Sequence, residues 1–186
     1  CPSRCGLGSG LMWMEQKHPE WELTGHTISE EQHKFITERL PEHKFHVNLQ
    51  SYNDLDKDFD FMYSIEALIH SANVTATFEE WATHLNDGGV IVIIDDFLGE
   101  NTSKDDEEVV AFAKSWLANS VFTPAELETI GHKFGLNVVE NRDLTVEYRI
   151  NELNYKNKRP IVSPDKGKTH QGWMGSKWRQ RLTVEG

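Results

Sequence analysis

Apolar positions along the chain recur at two spacings, and the two alternate from one end to the other. Leu11 to Lys17 permits a helix, which His18-Pro19 ends because the residue before a proline is displaced from helical backbone. Trp21 to Thr24 reads as a short strand. Ser29-Glu30-Glu31-Gln32 has the S-x-x-Q form of a capping box, and Phe35, Ile36 and Leu40 follow at helical spacing until Pro41. Lys44 to Leu49 and Asp58 to Ser64 are the next strand candidates, the second with Phe59, Phe61 and Met62 as its apolar positions. A helix over Ala76 to Leu85 would bury Phe78, Trp81, Ala82 and Leu85. Asn86-Asp87-Gly88-Gly89 then signals a turn into Val90 to Ile94, whose unbroken β-branched run predicts a strand buried on both faces.

The second half continues the alternation. The acidic stretch Asp105 to Glu108 opens a helix through Leu117, as carboxylates suit a helix N-terminus. Thr123-Pro124-Ala125-Glu126 is a second capping box, followed by a stripe of Leu127, Ile130 and Phe134 that Gly135 closes. Leu136 to Val139 is the next strand. From Asn151 onward the chain is polar and rich in proline and glycine, with Trp173 and Trp178 in hydrophilic surroundings, and reads as a loop-rich tail or cap. Strands alternating with helices predict a doubly wound α/β sheet with helices on both faces, over residues 1–150, with 151–186 as the polar C-terminal segment. In such a sheet, ligands bind beyond the carboxyl ends of the strands.

Composition narrows the partners. With 19 Lys and Arg against 30 Asp and Glu the formal charge is −11, which argues against a nucleic-acid partner. The longest purely apolar run falls far short of the roughly 20 residues of a membrane span. Cys1 and Cys5 are the two cysteines, and their place at the N-terminus makes neither a disulfide framework nor a zinc site. The expectation is a cytoplasmic protein acting on a small molecule, with no metal. Because the first residue is Cys and a glycine loop follows at once, the chain reads as a fragment.

The residues just after strands are the candidates for chemistry. Cys5-Gly6-Leu7-Gly8-Ser9-Gly10 leads into a helix, where glycines let backbone approach a nucleotide-like ligand and the helix start offers N–H groups; alone, it is equally a flexible terminus. A dinucleotide enzyme would carry Asp or Glu about 20 residues on, to hold the ribose. That place reads Thr24-Gly25-His26-Thr27-Ile28-Ser29, without a carboxylate.

Taken in order, Cys5-Gly6-Leu7-Gly8, Gly25 to Gln32, Ser64-Ile65-Glu66-Ala67-Leu68-Ile69-His70, Leu85 to Gly89 and Asp95-Asp96-Phe97-Leu98 resemble the motifs of class I S-adenosylmethionine-dependent methyltransferases. The branch most similar contains cyclopropane fatty acid synthases, alkaloid N-methyltransferases and geranyl diphosphate C-methyltransferase. The resemblance covers Cys5 to about Thr145 and implies a Rossmann-like sheet with S-adenosyl-L-methionine as cofactor. Position by position it implies Gly6 and Gly8 at the methionine part, Thr27, Ser29 and Gln32 near the ribose, and Ser51 and Tyr52 on the adenine side. Ser29 and Gln32 also read as a capping box alone, and Tyr52 as a surface aromatic.

Glu66 and His70 follow the fourth strand of that fold, and an i, i+4 spacing would put them on one face if the stretch is helical. The resemblance implies a glutamate facing the reactive methyl and the acceptor, where a carboxylate can take a proton or stabilise a developing cation and a nearby histidine titrates near neutrality. The alternative is a capping glutamate and a hydrogen-bonded histidine. Asp95 and Asp96 lie at the same rim. His18, His33, His43, His84 and His132 read as solvated, and Phe97, Phe112, Trp116 and Phe122 as either an apolar lid or ordinary core. Departures from the pattern are Pro2 and Arg4 before the cysteine, the missing first strand and N-terminal helices, and a missing final strand after Trp178. A dinucleotide oxidoreductase, or a non-catalytic module with a degraded cofactor loop, are the competing readings.

Overall fold

The computed structural model describes residues 6–99 and 101–145, together with the backbone of strand 179–185. In chain order the elements are α1 (Ser9–Lys17), β1 (Thr24–Thr27), α2 (Glu30–Arg39), β2 (His46–Leu49), β3 (Phe59–Ile65), a single 3-10 turn (Leu68–His70), α3 (Val74–Thr83), β4 (Leu85–Asp96), α4 (Glu107–Trp116), α5 (Pro124–His132), β5 (Asn137–Asp143) and β6 (Arg179–Glu185). The α/β alternation is the predicted one. Among the described residues no helix is long and apolar enough to cross a membrane.

The described strands form two sheets. β1 and β2 pair in parallel, while the second sheet runs β3-β4-β6-β5, with β3 parallel to β4 and β6 antiparallel to both its neighbours. No described strand joins β1 to β3. The final strand, expected to be missing, is present: Arg179–Glu185 inserts between β4 and β5, with Val90 opposite Glu185 and Asp143 opposite Gln180. The rest of the tail from Asn151 lies outside the described residues.

Three boundaries moved for identifiable reasons. The strand expected at Trp21 to Thr24 is Thr24–Thr27, whose four residues are all buried, whereas Trp21 is exposed and stacks on His18. Asn86 to Gly89 is not a turn between elements. Phe59 pairs with Leu85 and Phe61 with Val90, so those four residues loop out inside β4. Nor is Val90 to Ile94 buried on both faces: Ile91 and Ile93 are fully buried, while Val90, Val92 and Ile94 are half-buried. β-branched residues suit a strand covered on one face as well as on two.

The main core lies on the buried face of β3 and β4, where Met62, Ile91 and Ile93 meet Phe78 and Trp81 of α3 and Leu127 and Ile130 of α5. Trp81 also donates its indole N–H to the Tyr52 carbonyl at 3.2 Å. Leu11, Ile36 and Phe45 form a second, smaller cluster around β1 and β2. A cavity of about 30 Å³ separates the two sheets, lined among others by Leu11, Met14, Trp21, Thr24, Phe59 and Tyr63.

Candidate functional site

Parallel pairing puts the carboxyl ends of β1 and β2 along one edge, and those of β3 and β4 along another. The loops leaving them hold the sequence-predicted residues other than Gly6 and Gly8, which lie just ahead of α1. Gly6 and Gly8, at φ 54 and 87, occupy left-handed backbone that glycine adopts without penalty, and Gly8 is the N-cap of α1, with no side-chain capping hydrogen bond. A Cβ at Gly8 would touch Leu40 and Ile36, so the loop is packed down onto α2, whereas a Cβ at Gly6 would meet nothing within 4 Å. Gly10 is a different matter: a Cβ there would come within 2.9 Å of the Tyr63 hydroxyl, so a small residue lets α1 approach β3.

After β1, Thr27, Ser29 and Gln32 form one hydrogen-bonded corner. The Ser29 hydroxyl accepts from the Gln32 amide at 3.3 Å, as a helix cap should. The reciprocal half of the predicted box is missing, because the side-chain Oε1 of Gln32 accepts from the Thr27 hydroxyl at 2.8 Å while the Ser29 N–H donates to Thr27 Oγ1 at 3.1 Å. Thr27 is buried and spends its hydroxyl inside this corner; Ser29 and Gln32 are half-exposed. Between them Ile28 is 67% exposed, a large apolar side chain at a strand end.

Ser51 and Tyr52 follow β2. The Ser51 hydroxyl accepts from the Asn53 N–H at 3.2 Å, and the Tyr52 ring packs edge-on against Trp81, 6.0 Å between centroids. Tyr52 is therefore half-buried against α3 rather than a free surface aromatic.

After β3 the chain does not enter an α-helix, so the i, i+4 argument for Glu66 and His70 fails. Glu66 instead adopts φ 50, left-handed for a residue with a side chain, and one 3-10 turn carries His70. Such strain in a non-glycine residue concentrates at functional turns. The two residues share the same short loop. His70 Nδ1 faces the Leu117 carbonyl at 3.0 Å, which requires Nδ1 to carry the proton and leaves Nε2 as the basic nitrogen of the neutral ring. The segment after α4 is strapped to this loop by three further bonds, Asn119 Nδ2 to the His70 carbonyl at 2.8 Å, the Ser120 hydroxyl to the Ser71 carbonyl at 2.7 Å and the Ser120 N–H to the Ile69 carbonyl at 3.0 Å.

Asp95, at the end of β4, is 3% exposed and accepts from the Ala67 and Ile69 amides at 3.1 and 3.2 Å. Burial pushes its carboxyl up to about 6, an effect that the N–H groups oppose and the neighbouring Glu66 charge reinforces. Beside it a cavity of about 10 Å³, lined by Asp96, Phe97, Ser120, Phe122 and Leu127, has room for roughly one water molecule.

Of the aromatics weighed as a lid, Phe97 and Phe112 are buried and Phe122 packs on the main core, whereas Trp116, expected in the core, is 42% exposed next to Leu117 at 77%. His43 and His84, read as solvated, are about one-fifth exposed and face Glu15 and Asp58 respectively.

Residues 5–141 match a family model described as a methyltransferase domain. No curated protein sequence matches the chain. Among solved structures it is similar to geranyl diphosphate C-methyltransferase from Streptomyces coelicolor in complex with Mg2+, geranyl diphosphate and S-adenosyl-L-homocysteine, with TM-score 0.81, 15% identity, and 98% of this chain and 68% of that one covered. It is also similar to a cyclopropane synthase from Mycobacterium tuberculosis, with TM-score 0.74, 14% identity and coverage of 99% and 76%. A mycolic acid cyclopropane synthase complexed with SAH and CTAB gives TM-score 0.76 at 13% identity, again over 99% and 76%. At these identities the structural likeness bears on the fold.

Proposed function

We propose, for a chain that belongs to the methyltransferase-domain family, that it methylates a small-molecule acceptor with S-adenosyl-L-methionine as donor. The observation that carries the reading is a set of loops: a glycine loop with left-handed backbone at a helix start, a polar corner after β1, and, in the loop after β3, a left-handed glutamate and a histidine whose Nδ1 donates to a carbonyl. When bound, the cofactor supplies an electrophilic methyl group on a sulfonium sulfur.

In this reading Gly6 and Gly8 hold the methionine part, Ser29 and Gln32 meet the ribose, with Thr27 orienting Gln32 from inside, and Ser51 and Tyr52 border the adenine. The half-exposed Ser29 and Gln32 fit that task, since each keeps polar atoms at the surface of the corner. Glu66 stands at the acceptor, where its carboxylate stabilises positive charge on a methylated atom or takes a proton from it. His70, in the same loop and with Nε2 as its basic nitrogen, takes that proton onward. The acidic surface disfavours a polyanionic acceptor.

Calorimetric titration with S-adenosylmethionine tests the reading. Heat that S-adenosylhomocysteine suppresses by competition is expected, and an absence of binding overturns it. Glu66→Gln should lower turnover of labelled methyl groups by about 10²-fold or more while cofactor affinity changes less than twofold. Equal losses in both would make Glu66 a binding residue. With threonine where a dinucleotide enzyme carries its ribose carboxylate, NADH titrated in the same way should not bind.

A further inference from the structure

Asp95 occupies a buried position of β4, in register with Ile91 and Ile93, where the alternation calls for another aliphatic residue. A carboxylate there needs partners, because a buried charge without hydrogen bonds is strongly disfavoured. Its partners are all backbone amides of one small region. Oδ2 accepts from Ala67 and Ile69, and Oδ1 accepts from the Asp96 N–H at 2.9 Å. Ala67 directly follows Glu66. From the other side the Glu66 N–H donates to the Ile94 carbonyl at 2.8 Å, continuing the β3–β4 ladder to the residue where the backbone turns left-handed. Glu66 is thus the one residue between two fixed points, the ladder before it and the carboxylate after it.

We propose that Asp95 is a positioning residue that acts through Glu66, its carboxylate clamping the turn after β3 so that Glu66 keeps a backbone conformation it would otherwise leave. The inference rests on the reading above in taking Glu66 as the group that serves the acceptor, but the clamp itself is a property of the turn. A left-handed non-glycine residue persists only where its surroundings over-determine it. Two amide bonds from the turn, those of Ala67 and Ile69, to an ionised carboxylate, each stronger than a neutral hydrogen bond, supply that constraint. Burial raises the carboxyl to about 6, so the group is ionised at neutral pH and accepts both.

The test is a double-mutant cycle on the full chain, read by amide exchange. Asp95→Asn should speed exchange of the Ala67 and Ile69 amides about tenfold while leaving Met62 and Ile91 within twofold. In a Glu66→Gly background, where the left-handed turn carries no penalty, the same replacement should speed them less than threefold. Equal increases in both backgrounds, or a rise spread over the whole sheet, overturn the clamp. Asp95→Glu, which keeps the charge but lengthens the arm, is a second variant expected to follow the same pattern. In turnover, Asp95→Asn should lower kcat about tenfold with cofactor affinity within twofold, and should add nothing to Glu66→Gln. Losses that multiply would mean that Asp95 does not act through Glu66. If Glu66→Gln leaves kcat unchanged, the assignment of Glu66 to the acceptor fails, and the exchange cycle still decides the clamp.

Discussion

Among the described residues the two sheets of this molecule each bury one ionisable side chain in a strand, and they treat it in opposite ways. His26 of β1 is fully buried, and neither ring nitrogen has a hydrogen-bond partner among the described residues; its ring meets Phe59 edge-on at 6.4 Å. Burial chiefly holds its pKa down at about 4, so the ring stays neutral at physiological pH. Asp95 of β4 is buried almost as deeply, yet three amides surround it and it remains charged at pH 7. Burial shifts both groups toward their neutral forms, His26 from 6.5 down to about 4 and Asp95 from 3.8 up to about 6. The difference lies in hydrogen bonding: backbone amides oppose the shift at Asp95, whereas the His26 ring nitrogens have no partner among the described residues. The same contrast holds for apolar packing, with twelve buried side chains in one described cluster and three in the other.

The largest test of that contrast is core truncation. Trp81→Ala should cost about 3–5 kcal/mol in chemical denaturation, since it removes a fully buried ring from the larger core. Ile36→Ala, in the smaller cluster, should cost about 2 kcal/mol. Similar values for the two would mean that the clusters form one cooperative unit of uniform packing.

Next in size is the dependence on pH. The depressed His26 pKa contributes stability that is complete above about 6.5 and lost as pH falls toward about 4, worth about 3 kcal/mol. Asp95 does the reverse: its raised pKa favours the fold below about 3.8, and that advantage disappears as pH rises toward about 6, again worth about 3 kcal/mol. The two slopes oppose each other in one window, so the wild-type protein should change little between pH 4 and 6 on their account. Replacing His26 with Gln should leave stability rising as pH falls, and replacing Asp95 with Asn should leave it falling. Matching slopes in the two variants would refute the pairing.

The smallest effect compares helix caps. The Thr123 box at α5 is reciprocal, with Glu126 returning a carboxylate to the Thr123 N–H at 2.8 Å, whereas the Ser29 cap lacks its return bond. Thr123→Ala should therefore cost about 1–2 kcal/mol and Ser29→Ala less than 1, by thermal unfolding.

How far the fold was legible follows from which signals are local. The cap at Thr123, the stripe at Leu127 and Ile130, and the branched run Val90 to Ile94 depend on near neighbours, and they located α5 and β4 from sequence. The looping-out of Asn86 to Gly89 inside β4 depends on where Phe59 and Phe61 find partners, which no local pattern encodes. Strand β6 was missed because its partners β4 and β5 lie far back along the chain. At the site, ordered motifs pointed to the right loops. Tertiary bonding alone revealed that Thr27 turns inward to Gln32, that Glu66 sits in left-handed backbone instead of a helix, and that His70 is tied to Leu117.

The place of β6 also bears on how the molecule is made. Because that strand fills the position between β4 and β5, neither of those strands can complete its ladder until Arg179–Glu185 has left the ribosome. During translation, β4 would wait with one edge open while everything from Asp96 to Gln180 is added. A strand of Val and Ile with an open edge invites pairing with another chain. The interruption at Asn86 to Gly89 and the paired acids Asp95 and Asp96 stand at the two ends of that run, where turn residues and charges oppose such pairing.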